Sequence, residues 1–476
     1  MSIYNRFIPG FQFADIQPRP IHPLEEQKKE QFKSRSITRL KQGAVIMKLD
    51  LHIITIKDIR FGERTLIQDG VLTINRDELR ALLEIDKRFE RVEIEIARPG
   101  EKCRIIQVAD VIEPRGKMGG DGTFGYSGKH QNTGEGKTCV LRGAAVVLID
   151  DRKGGDTASM DPRDHLIDMS GPASEVSTYG KTFNIVLLPK LKKGVTIPQF
   201  QAGLKLAGLK AAAYLAWAGR DLKADEVESY DLPPLTEVAR GMEELPKVVY
   251  IPQVLSLQYE PIPGEPTLFG VQAGGILPTI LHPNQILDGA VTSALPGLNV
   301  QTYRFQNHPI IQELYRRHGK ELCFAGVIAT IAPNNVFDFD RMANIAASLA
   351  KWVLGADGAV LTKTGGGAPE LAMARTAQRC EQLGIRTAIA MLHMGADFKD
   401  AKFGASTIFS IPEVDAIVSM GFPFSNLVLP PVERVIGSDG VVWGGSSLEG
   451  EITQSLSSIY GALCQFGSTK WTAVRY

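Results

Sequence analysis

Cys323-Phe324-Ala325-Gly326-Val327-Ile328-Ala329-Thr330-Ile331, followed by Asp340–Leu354, Gly358–Leu361, Pro369–Leu383 and Thr387–Met391, decides the fold class of this chain. The first, third and fifth segments are short apolar runs, as expected of strands buried on both faces. The second and fourth carry apolar residues at helical spacing. Lys247–Ile251 supplies a strand before the series and Ala416–Ser419 one after it. Apolar strands alternating with helices predict a parallel sheet, here a doubly wound α/β domain over residues 245–476. Ligands of such a sheet are expected beyond the carboxyl ends of its strands.

Residues 47–244 have a different texture and are expected to form a β-rich α+β domain. Leu49, Leu51, Ile53 and Ile54 read as one strand, Gly70–Ile74 as another, and Val92, Ile94 and Ile96 alternate with Glu93 and Glu95. Asn75–Phe89 reads as a helix capped by Asn75, with Leu79, Leu82, Leu83 and Ile85 on its apolar stripe. Gly116–Lys137 holds eight glycines and reads as a long surface loop. Leu141–Ile149 suits one buried strand, and Pro198–Gly219 an amphipathic helix closed by Gly219. Asp231–Pro234 reads as a linker, with a boundary near Glu244. Residues 1–46, with Pro18, Pro20 and Pro23 followed by the charged run Glu25–Arg39, are expected to be a leader or flexible tail, since Met47 opens the first folded strand.

Lys plus Arg equals Asp plus Glu at 53 each, so no overall field draws this chain to nucleic acid or to an anionic membrane. No run approaches the ~18 apolar residues of a membrane span, and the cytoplasm is the expected location. Cys103, Cys139, Cys323, Cys380 and Cys464 lie far apart without a C-x-x-C pair, which points to reduced, structural thiols. His282, His308, His318 and His393 fall in no ligand spacing, so neither a metal nor a nucleotide is expected. His308-Pro309 looks like a turn, and His318 like a helix end favouring an imidazolium.

The candidate binding loop is Thr362-Lys363-Thr364-Gly365-Gly366-Gly367-Ala368-Pro369. It leaves a strand and opens a helix, where free backbone N–H groups favour a carboxylate or phosphate. Lys363, Thr364, Gly365, Gly366 and Gly367 are therefore candidate substrate contacts. Gly134-Glu135-Gly136-Lys137-Thr138 precedes a strand and reads as a turn. Asp110 and Glu113 could supply an acid and a base, or an ion pair with Arg115.

Several segments together resemble one family in order and spacing across about residues 47 to 440. They are Lys57–Glu63, Asp110–Arg115, Ile167–Pro172, Ala207–Ala211, Asp288–Ala290, Gln306–Pro309, Tyr315–Glu321 and Pro430–Gly437. They look like the component B alpha/beta proprotein of the glycine, sarcosine and betaine reductases. The resemblance implies a subunit of an oligomeric complex that reductively cleaves the C–N bond of a glycine derivative. It implies three further participants: a selenoprotein or cysteine-homologue subunit, a small selenoprotein of the component A type, and an amine substrate. It also implies a pyruvoyl group, made by self-cleavage at a cysteine between Asp288–Ala290 and Gln306–Pro309. Val291–Phe305 contains no cysteine. Three readings follow. Ser293 replaces the cysteine, with cleavage at Thr292-Ser293; or the uncleaved chain handles a substrate needing no imine, contacted by Tyr303 and Arg304; or the chain is a non-catalytic binding or assembly subunit.

Overall fold

Six strands lie side by side in the order Thr279–Leu281, Cys323–Ile331, Lys247–Val254, Gly358–Thr362, Arg386–Met391 and Ile417–Ser419. The first pair is antiparallel and every other pair parallel. Helices Val336–Ser348 and Ala368–Gln382 connect successive strands of this sheet. Cys323–Ile331 is buried at all nine positions, which accounts for its unbroken apolar run. The computed structural model describes residues 47–118, 133–150, 165–254, 275–294, 300–333, 336–364, 368–392, 411–414, 416–420, 425–437 and 447–467. The expected leader, His393 and Gly365–Gly367 lie outside them. The fold is mixed α/β, with several sheets and few helices. Among the described residues, no helix is long and apolar enough to cross a membrane.

Two four-stranded sheets occupy the first half of the chain. One has the order Glu226–Leu232, Met47–Thr55, Gly136–Arg142, Arg115–Lys117; the other has Phe89–Ala97, Phe183–Leu191, Ala144–Ile149, Val108–Ile112. The expected single strand Leu141–Ile149 is thus two strands in different sheets, parted at Gly143. Apolar character runs through the break because both strands are buried. Gly143 has φ +90°, and a Cβ there would lie 2.9 Å from the Ile56 carbonyl oxygen. Gly143→Ala is expected to cost about 2 kcal/mol or more of stability, read by urea unfolding; an unchanged midpoint would contradict the strain argument.

Asn75 caps its helix as expected, its Oδ1 accepting the Glu78 N–H at 3.0 Å. That helix ends at Glu84, and Ile85 is 65% exposed, so the expected stripe is one residue too long. The expected loop Gly116–Lys137 begins inside the strand Arg115–Lys117 and ends inside Gly136–Arg142. Asp231 and Leu232 belong to a strand, where a linker was expected.

The long helix Ile197–Trp217 is capped by Thr196, in a capping box with Gln199, and ends at Ala218 instead of Gly219. It is buried on nearly every side, not amphipathic. Gly208 lets it press onto the sheet: a Cβ there would fall 2.8 Å from both Ile112 Cδ1 and Leu148 Cδ2.

Near the other end of the chain, Arg434–Ile436 pairs in parallel with Cys103–Ile106, which also pairs with Leu166–Asp168. Arg104 locks this join. Buried completely, it forks onto Asp168 at 2.8 and 3.0 Å and donates to the carbonyls of Pro430, Leu448 and Gly450. All five cysteines are free and buried.

Candidate functional site

The segment that should carry the processing residue begins where Pro283–Leu287 ends at Asp288. Asp288 accepts the Gly134 N–H and the Thr138 hydroxyl, both at 2.7 Å, and pairs with Lys117. The glycine turn Gly134–Thr138 therefore serves as a clamp on Asp288.

Thr292 and Ser293 are buried. The Ser293 N–H donates to Thr302 Oγ1 at 3.0 Å, and its hydroxyl donates to the carbonyls of Ala294 and Val300. Thr302 opens the short helix Thr302–Gln306 and is held by Asp110, which accepts its N–H at 2.9 Å and its hydroxyl at 2.5 Å. Lys205 reaches in from the long helix to pair with Asp110 and to donate to Thr302 Oγ1 at 3.2 Å. Burial pulls the Lys205 amine below its ordinary pKa, against the opposing pull of Asp110. The close approach at Gly208 makes this reach possible, one helical turn before it. Asp110, Lys205, Thr302 and Ser293 thus form a continuous buried polar chain.

Glu113 turns to a different partner, so Asp110 and Glu113 do not act together. Arg115 binds Glu113 Oε2 at 2.5 and 2.9 Å, and also reaches the Leu287 carbonyl and, at 3.0 Å, Asn307 Oδ1. The ion-pair expectation holds, and the pair ties both ends of the segment together.

Tyr303 and Arg304 lie on a helical turn. Tyr303 packs edge-on against Tyr179, with ring centroids 5.4 Å apart. Arg304 is buried; its Nη2 donates to Thr178 Oγ1 at 2.7 Å and to the Gly461 carbonyl at 3.0 Å. Tyr179 donates to Gln301 Oε1 at 2.8 Å.

A second polar group sits at the carboxyl edge of the six-stranded sheet. His308 caps the helix Pro309–Arg317, where a turn was expected. Its Nε2 lies 3.0 Å from the Tyr250 hydroxyl, which lies 2.6 Å from Thr362 Oγ1. Phe466 stacks on its ring at 4.2 Å. Burial lowers the His308 pKa to about 3, so its imidazole is neutral. His318 is also no imidazolium: its Nδ1 accepts the Phe324 N–H at 3.0 Å, and burial lowers its pKa. Lys363, next after Thr362, is fully buried with Nζ 3.8 Å from Glu370 Oε2. Burial lowers its pKa while Glu370 opposes the shift. Thr364 donates to the Gln253 carbonyl at 3.4 Å. The candidate residues thus fall into two groups, Thr292 to Arg304 and Lys363 with Thr364, bridged by His308, Tyr250 and Thr362.

A model of the glycine/sarcosine/betaine reductase component B subunits matches residues 47–473. The chain belongs to that family. It is 35% identical over 446 residues to the glycine reductase complex component B subunits alpha and beta of Acetoanaerobium sticklandii, covering 90% of this chain and 100% of that protein. Identity to the sarcosine reductase complex component B subunit alpha of Peptoclostridium acidaminophilum is 35% over 399 residues, 82% of this chain and 89% of the other. The betaine reductase counterpart from the same organism is 32% identical over 429 residues, with 87% and 95% covered. No solved structure matches the chain.

Membership of the component B family recasts several resemblance segments as structural. Ile167–Pro172 and Pro430–Gly437 meet at Arg104, and Arg115 ties Leu287, just before Asp288–Ala290, to Asn307 of Gln306–Pro309. Lys205 escaped the sequence reading. Its only signal was a lysine among fifteen otherwise mostly apolar positions of a buried helix.

Proposed function

We propose that this chain is the substrate-handling subunit of a glycine/sarcosine/betaine reductase-like complex and works without being cut. The observation that carries the reading is Ser293. It stands in the segment where the family resemblance places the processing cysteine, and its hydroxyl hydrogen is given to two backbone carbonyls, neither of which is a base. These residues do not fit pyruvoyl formation.

In this reading the chain binds a glycine-like compound and presents its α-carbon to a selenolate or thiolate of a partner subunit. The nucleophile forms a bond to that carbon, the C–N bond breaks, and the amine departs with the electron pair. The carboxymethyl group then passes to a small carrier of the component A type. The matching component B relatives support a place in a multi-subunit complex. The doubly wound character of residues 245–476, as against a β-rich 47–244, belongs to the same reading; the parallel order of the six-stranded sheet supports it.

Denaturing mass spectrometry of the purified chain tests the claim. One species at 51.9 kDa is expected. Fragments of roughly 30 and 20 kDa, by length scaling, would overturn it, and their disappearance in Ser293→Ala would assign the cut to the serine route.

A further inference from the structure

The helix Val336–Ser348 passes directly into a five-residue π turn, Leu349–Val353. Its inner side is largely alanine, with Ala346, Ala347 and Ala350 buried in one cluster with Ala359 and Met373 of the sheet and the next helix. Its outer side is not polar throughout. Phe337 is 90% exposed, Trp352 73% and Val353 62%, three of the four most exposed large apolar side chains among the described residues. Single apolar residues at a surface are ordinary, but a helix that packs on a sheet by its alanines and turns a phenylalanine and a tryptophan to water has a second face to cover.

The exposed residues fall on one line. Phe337, Arg341, Asn344 and Ser348 are all exposed and recur at spacings of four, three and four, the repeat of a single helix face. The π turn keeps Trp352 on that line. Four residues overshoot one turn of α-helix, whereas in the wider turn they fall just short of one, so Trp352 returns above Ser348. The Leu354 N–H closes this turn on the Leu349 carbonyl at 3.0 Å. Such turns are rare and concentrate at functional sites. The line is aromatic at both ends and polar between them. Charge runs along it in one direction, with Asp338 and Asp340 near the start and Lys351 in the last turn.

A second copy of the same helix, antiparallel across a two-fold axis beside Asn344, matches both patterns. Phe337 of each copy then meets Trp352 of the other, Asn344 lies next to its own counterpart, and the acidic start of one helix lies along the Lys351 end of the other. Isologous contacts of this kind close on themselves. We propose that the outer face of Val336–Val353 is a two-fold interface between two copies of this chain.

Sedimentation velocity of the purified full-length chain at micromolar concentration tests it. A particle of twice the 51.9 kDa chain mass is expected. Phe337→Asp combined with Trp352→Asp should weaken self-association at least about a hundredfold, with an unchanged circular dichroism spectrum because both positions are exposed. A parent that sediments as one chain would overturn the proposal, as would a variant that associates as tightly as the parent. Cysteine cross-linking tests the orientation, since the five native thiols are all buried. Under mild oxidation Asn344→Cys should give a covalent dimer. Phe337→Cys should not, because its two copies would stand about 22 Å apart along the helices. Linking at Phe337, or its absence at Asn344, would overturn the antiparallel pairing.

Discussion

Asp110→Ala is expected to lower the unfolding free energy by about 3–5 kcal/mol, the usual cost of removing one partner from a buried ion pair. Asp110 and Lys205 are both fully shielded from solvent. Losing the carboxylate strands the ammonium and orphans the Thr302 N–H and hydroxyl at once. Adding Lys205→Met should restore at least roughly 1 kcal/mol, because no charge is then left inside and methionine fills most of the lysine volume. Urea unfolding of the parent, the single and the double variant decides. A single variant within about 1 kcal/mol of the parent would mean that the pair does not hold the 291–305 segment in place.

Lowering the pH from 7 to 4.5 is expected to draw about 2–3 kcal/mol of stability from His308 alone. Its pKa falls from the ordinary 6.5 to about 3, chiefly through burial. Below about pH 6.5 the unfolded chain takes up a proton that the folded one refuses, so the loss grows as pH drops toward 3 and then levels. The flanking Tyr250 hydroxyl adds no charge, since burial holds that phenol far above its usual range. His308→Gln keeps a polar partner for Tyr250 and removes the titration. Its stability should fall by about 2–3 kcal/mol less than the parent's between the two pH values in urea titrations. Parallel pH curves for the two proteins would refute the assignment.

Strands that are apolar throughout were legible in sequence because burial on both faces leaves no polar position to confuse the reading, as in Cys323–Ile331. The same uniformity hid the break at Gly143. Apolarity reports burial but not which sheet a strand joins, and the turn is visible only as a glycine with positive φ. The helix Ile197–Trp217 was legible through its length and its run of apolar residues, but its environment was not. It was read as amphipathic, whereas its alanines and glycines permit close packing on nearly every side. The helix at Thr302–Gln306 left no sequence signal because five residues are too few to display a helical period.

Much the same holds for the site. Ser293, Arg304 and Lys363 were reachable from motif order and from strand-to-helix grammar. Asp110 was visible, but its partner was not, since Lys205 is 95 residues away and nothing local links them.

The pairing of Arg434–Ile436 with Cys103–Ile106 separates covalent connectivity from cohesion. A scission anywhere between Asp288 and Gln306 would yield two polypeptides whose backbones remain interlaced in one sheet, with Arg104 of the first gripping the carbonyls of Pro430, Leu448 and Gly450 of the second. Native sizing would then report a single particle for cut and uncut protein alike. The alpha and beta halves of a component B protein of this architecture would be a nicked monomer, born together and never needing to find each other.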